Sequence, residues 1–262
     1  MIPLFAALPG IAPRGLMAPK QILALCSPDE PFEKTVALVK AAMRTEPSLD
    51  IQMTNLLLGL TNAQAPDKRV AMRMLEILDQ VSSEARLTRL ICQLLQLDDP
   101  PLRSKAALLV SRRLDGMDWI FAHLQDADPR VRANILEGLW ENTHPACTAV
   151  FARYRDDSNN RVAANAVYGL YLRGEADAIP NVMRMASHAN PTRRAAAAWL
   201  MGMIGRTEFV DVLKRMVKLD ERQVKGTALK SLVRINRSAG PARNTALETT
   251  ATRDGAVACP SS

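Results

Sequence analysis

The sequence predicts an all-α fold, a solenoid of stacked antiparallel helix pairs, and three observations carry that prediction. Apolar residues recur at helical spacing through most of the 262 residues, and no segment shows the two-residue alternation of a half-buried strand. Over the C-terminal half the pattern repeats every 31 residues. The composition agrees: 48% hydrophobic residues with only 4% aromatic suit a large core of Ala, Leu, Val and Met. Glycine and proline follow no three-residue period, so a collagen-like rod is excluded.

The chain opens with an apolar stretch broken by Pro3, Pro9, Pro13 and Pro19. It lacks the basic start and unbroken apolar helix of a secretory signal, so residues 1–30 are read as an irregular Pro-rich arm and the expected location is cytoplasmic. No window of eighteen apolar residues predicts a membrane span. Helical spacing then marks residues 33–43 and 49–60, and next 67–78 with 84–97. Asp99-Pro100-Pro101-Leu102-Arg103 opens a further pair and matches Asp128-Pro129-Arg130-Val131-Arg132, displaced by 29 residues.

From there the register is regular. Val131, Val162, Arg193 and Val224 are spaced by 31. Four residues on lie Ile135, Ala166, Ala197 and Ala228; five on lie Leu136, Val167, Ala198 and Leu229; eight on lie Leu139, Leu170, Met201 and Leu232. Offsets of 4, 5 and 8 trace one face of a helix. Asp128-Pro129, Asn159-Asn160 and Asn190-Pro191 supply helix N-caps, and breaks are expected near Asn142, Gly174 and Gly205. Second helices are expected over 144–155, 179–186 and 209–218, with inward columns Cys147/Ala178/Phe209, Phe151/Val182/Leu213 and Tyr154/Met185/Met216. One repeat is therefore two helices. The array, residues 31–236, holds about six pairs plus a terminal helix at 222–235, and residues 237–262 are read as a flexible tail rich in Ala, Thr and Ser.

The segment Asp126-Ala127-Asp128-Pro129-Arg130-Val131-Arg132-Ala133 resembles the opening of a HEAT-like repeat, and residues 191–205 (PTRRAAAAWLMGMIG) resemble its helix-and-glycine ending. The likeness is to the short bacterial repeats first associated with phycobilisome lyases. It is clear over 98–236, faint over 31–97 and absent at both ends. It implies a right-handed, armadillo-like α-solenoid. The family's loop Asp and helix Arg occur together at Asp126 and Arg132, but Asp157 is followed by Ala163, and His188 and Leu219 replace the later Asp. Tetratricopeptide repeats fit less well, because their Leu-Gly and aromatic pattern at period 34 is missing.

The sequence offers little chemistry. His123, His144 and His188 stand apart; none precedes a Glu, so the His-Glu pairs of iron-binding HEAT-like hydroxylases are missing, and His144 reads as a capping residue. The cysteines Cys26, Cys92, Cys147 and Cys259 form no Cys-x-x-Cys pair and read as free thiols. No phosphate loop occurs. The sequence thus points to no catalytic, cofactor-binding or metal-binding residue.

The formal net charge of +7 is spread over the array without a basic run. Arg153, Arg184 and Arg215 recur at 31, each next to an inward residue, so they fall on a solvent flank of the second helices. This column reads either as a basic ladder for a partner or as a solvated face with local pairs such as Asp211–Arg215. Trp140, one residue past the core position Leu139, could be partly exposed and so serve a binding hot spot, but packing within the solenoid is the expectation for it as for Trp199. The resulting expectation is a protein-interaction scaffold or adaptor, with Arg153, Arg184, Arg215 and Trp140 as partner-binding candidates. Nucleic-acid binding along a basic face and an accessory, chromophore-lyase-type role are the alternatives.

Overall fold

A computed structural model describes residues 18–61, 67–81, 91–96, 99–113 and 116–251. The described residues contain helices and turns and no strand. They divide into two compact units, Met1–Ala146 and Cys147–Ser262.

In the first unit the helices are α1 (Pro19–Leu25), α2 (Phe32–Thr45), α3 (Leu49–Thr61), α4 (Lys68–Val81), α5 (Pro100–Arg113), α6 (Met117–His123) and α7 (Pro129–Gly138). Helix α1 lies inside the arm that reads as irregular. Its prolines explain the difference: Pro19 takes the first helical position, where no N–H is needed, and the Gln21 side chain accepts the Ala18 N–H at 2.9 Å. Ile22, Leu25 and Cys26 are buried behind it. The preceding residues of the arm, and most of the helix expected over 84–97, lie outside the described residues.

Consecutive first helices pack side by side, α4 on α5 and α5 on α7, which is how stacked pairs share one core. A carboxylate joins two of them. Asp79 of α4 is nearly buried and receives Lys105 at 3.0 Å and Arg112 at 2.8 Å, both from α5. Close approach of α5 and α7 rests on Gly138, since a Cβ there would run into the Ser111 side chain.

The second unit carries α8 (Ala146–Tyr154, apart from its first residue), α9 (Asn160–Leu172), α10 (Ala178–Ala186), α11 (Pro191–Ile204), α12 (Val210–Leu219) and α13 (Arg222–Ala251). First helices again stack, α9 on α11 and α11 on α13, and the second helices α10 and α12 pack on the first helices that follow them, α11 and α13. The register columns point inward as expected: Val162, Val224, Ala166, Ala197 and Ala228 are fully buried, as are Val167, Ala198 and Met201. Leu232 is only half-buried, and Leu229 departs furthest: it continues the buried column Leu136, Val167 and Ala198, yet 55% of it is exposed on the side of α13 turned away from the array.

The caps fall where the sequence puts them. Asp128 accepts the Arg130 N–H at 2.8 Å, Asn159 the Arg161 N–H at 3.0 Å and Asn190 the Thr192 N–H at 2.9 Å. Each such cap contributes about 1 kcal/mol. Gly174 and Gly205 end α9 and α11 with φ of 75° and 77°, the left-handed conformation that glycine adopts without a Cβ clash. Helix α13 runs well past the expected end at 235, continuing through Pro241 to Ala251.

The inter-repeat loops show what the family-type Asp and Arg do. Asp126, Asp157 and His188, spaced by 31, each accept the backbone N–H two residues on, at 2.8, 2.7 and 3.0 Å. A histidine thus substitutes for the loop Asp through its Nδ1 lone pair. Arg132 donates to the carbonyl of Asp126 at 2.8 Å, and Arg194 to those of His188 and Ala189 at 2.8 and 2.7 Å. Between them stands Ala163, which can donate nothing. There Arg193, from the next repeat, reaches the Asp157 carbonyl at 2.7 Å. The Arg that breaks the valine column at 193 thereby covers for the Ala that breaks the arginine column at 163. Arg194 also binds Asp220 and Glu221; the Asp220 carboxylate, hydrogen-bonded to this guanidinium, is held below its ordinary carboxylate range.

Candidate functional site

The candidate surface lies on the second helices of the second unit. Helices α8, α10 and α12 bury Cys147, Ala178, Phe209, Phe151, Val182 and Leu213, so the residues about a third of a turn away face solvent. Arg153, Arg184 and Arg215 do so, and all three are exposed.

Their surroundings differ. The Arg153 guanidinium lies 5.9 Å from the Tyr154 ring centre. Arg184 donates to Asp156 at 2.6 Å and to Asn181 at 2.5 Å. Arg155 sits between Asp177 and Asp156, with its Nε 3.5 Å from the latter. The anticipated Asp211–Arg215 pair is not formed; Asp211 instead faces Lys214 at 3.7 Å, one turn away on the outer side of α12. Arg215 lines a shallow groove between α10 and α12 together with Met183, Val212, Met216, Leu219 and Asp220. Two of these are exposed apolar side chains, Met183 at 37% and Leu219 at 83%.

Leu219 was missed as a surface residue, although the signal stood in the sequence. It occupies the loop position filled by Asp126, Asp157 and His188, where a side-chain acceptor is the rule. An exposed leucine there leaves the Glu221 N–H to the Asp220 carboxylate, which accepts it at 3.1 Å, and places apolar surface beside a guanidinium.

Trp140 belongs to the first unit, just after α7, and is half-buried. Trp199 packs against Tyr168 with ring centres 6.4 Å apart. The histidines have local roles: His144 accepts the Ala146 N–H at 3.1 Å at the start of α8, and His123 stacks on Trp119 at 4.2 Å. Among the described residues no three His, Cys, Asp or Glu side chains converge as metal ligands. Cys26 and Cys147 are buried free thiols, and burial pushes the Cys26 thiol up to about 12, against the opposing pull of Arg73. Such a thiol is not a nucleophile at neutral pH. No helix of the described residues is long and apolar enough to cross a membrane.

A family model of HEAT repeats matches residues 148–233. The match covers the helices α8 to α12 and the first part of α13, all in the second unit. Among solved structures, the chain is similar to human deoxyhypusine hydroxylase in complex with glycerol, at 15% identity and a TM-score of 0.37, over 83% of this chain and 89% of that one. No curated protein matches the chain. The matched repeats support a stacked helical-repeat architecture in general terms.

Proposed function

We propose that the chain is a protein-interaction scaffold whose contact surface is the exposed flank of α8, α10 and α12. The observation that carries this reading is the groove in which Arg215 lies beside exposed Met183 and Leu219. An apolar floor with a guanidinium at its edge suits a protein side chain flanked by a carboxylate. Asp156 and Asp177 stand among the arginines of the same flank, which favours a protein over a phosphate backbone, whose charge would be repelled there. The Arg184–Asp156 pair is exposed at both ends and contributes at most about 1 kcal/mol, so a partner carboxylate can displace it.

The test is retention of proteins from a lysate on the immobilised intact chain, followed by a salt titration. Two variants are run beside it, Arg153→Glu/Arg184→Glu/Arg215→Glu and Met183→Ser/Leu219→Ser. A protein held by the wild type and weakened about tenfold or more by both variants is the expected result. Retention indifferent to both variants, or retained material that nuclease releases, would overturn the assignment.

A further inference from the structure

A second face, unrelated to that groove, points to a particular kind of partner. Helix α13 buries Val224, Ala228, Ser231 and Ile235 against the array. Directly opposite, at 100° per residue, lie Arg222, Leu229 and Val233, flanked by Lys225, Lys230 and Arg237. Leu229 and Val233 are 55% and 44% exposed. The four side chains Arg222, Lys225, Lys230 and Arg237 make no hydrogen bond or ion pair with any described residue. The sequence from Arg222 to Leu247 contains no Asp or Glu. The nearest acids, Asp220 and Glu221, are engaged by Arg194.

We propose that this face docks an acidic amphipathic helix of a partner protein, laid where the first helix of another repeat would sit. The register supports the position. In the interior the column of Leu229 is filled by Val167 and Ala198, both fully buried in the core that the next repeat continues. The charge supports the chemistry: an apolar stripe between unpaired cations is complemented by an apolar stripe between carboxylates. The chain itself offers no such segment. Beyond α13 the remaining residues contain one acid, Asp254, next to Arg253, and the residues before α1 carry a single charged side chain besides the terminus, Arg14. A second copy presenting the same face would set cation against cation.

The experiment uses the full-length chain and a fluorescent Glu/Leu amphipathic peptide of about 20 residues, with the same peptide carrying Lys for Glu as control. Anisotropy is expected to show saturable binding of the Glu peptide, about tenfold or more tighter than the Lys peptide and weakening as salt rises. Leu229→Ser/Val233→Ser and Lys225→Glu/Lys230→Glu are each expected to weaken it about tenfold. All the substituted side chains are exposed, and circular dichroism confirms that the variants fold. Arg153→Glu/Arg184→Glu/Arg215→Glu should leave the peptide affinity unchanged, which separates this face from the groove on α10 and α12. Absence of saturable binding, equal affinity for the Lys peptide, or indifference to Leu229→Ser/Val233→Ser would overturn the proposal. Tighter binding to phosphatidylserine vesicles or to a DNA duplex than to the Glu peptide would do the same.

Discussion

Compare the repeat that begins at Asn160 with the one that begins at Pro191. In the first, Phe151 of the preceding second helix lies over Gly169, where an added Cβ would come within 2.5 Å of the ring. In the next, the equivalent positions hold Val182 and Leu200, both buried in the same core. Volume lost at one position of the pair is present at the other. The loops behave alike. Arg194 braces the loop ahead of its own helix, whereas Ala163 cannot, and Arg193 of the following repeat does that work from outside. The two repeats keep one geometry with different residues, and the conserved quantity is the filled space or the satisfied carbonyl rather than the side chain at a given column.

The largest test of this comparison is at the packing pair. Phe151→Ala should cost about 3–5 kcal/mol in urea denaturation, because α9 cannot move in to fill the space. Gly169→Leu alone should cost about 1–3 kcal/mol by overpacking. Phe151→Val combined with Gly169→Leu imports the neighbour's solution and should recover most of that loss; strictly additive effects would break the comparison.

At the loop the expected effect is smaller. Arg193→Val restores the valine column but removes the guanidinium from the Asp157 carbonyl, for a loss of about 1 kcal/mol. Adding Ala163→Arg should return at least half of it. If the double variant is no more stable than Arg193→Val, the two arginines are not equivalent suppliers. The smallest effect is at His188. His188→Asp keeps an acceptor for the Asn190 N–H and should change stability by no more than about 0.5 kcal/mol. His188→Leu copies position 219 and should cost about 1 kcal/mol, read from the same denaturation midpoints.

The fold was legible because three local signals share one period: the apolar columns, the Asp or Asn before α7, α9 and α11, and the glycine after α9 and α11. Helical spacing alone also placed α2, α3 and α4 to within a few residues. The terminal helix was harder. Its columns read as buried because periodicity reports which side a residue faces and not whether anything stands there: Val224, Ala228 and Ile235 join the core, while Leu229 on the other side of the helix does not. Arg193 reads as a blemish in a valine column because its carbonyl partner stands 36 residues back. The exposure of Arg153, Arg184 and Arg215 followed from helix geometry, but Arg184's choice of Asp156 and the opening of a groove at Arg215 depend on how neighbouring helices meet, which no single period encodes.

The packing of Phe151 over Gly169 has a consequence for shortening the array. Excising one full period, residues 160–190, would rejoin the chain without shifting any column, and hydropathy would register no scar. The seam would nonetheless press a phenyl ring against Leu200, where the excised segment had offered a hydrogen atom. Modules that look interchangeable by their spelling are thus keyed to their neighbours, and a graft is expected to succeed only when both halves of the lock travel together.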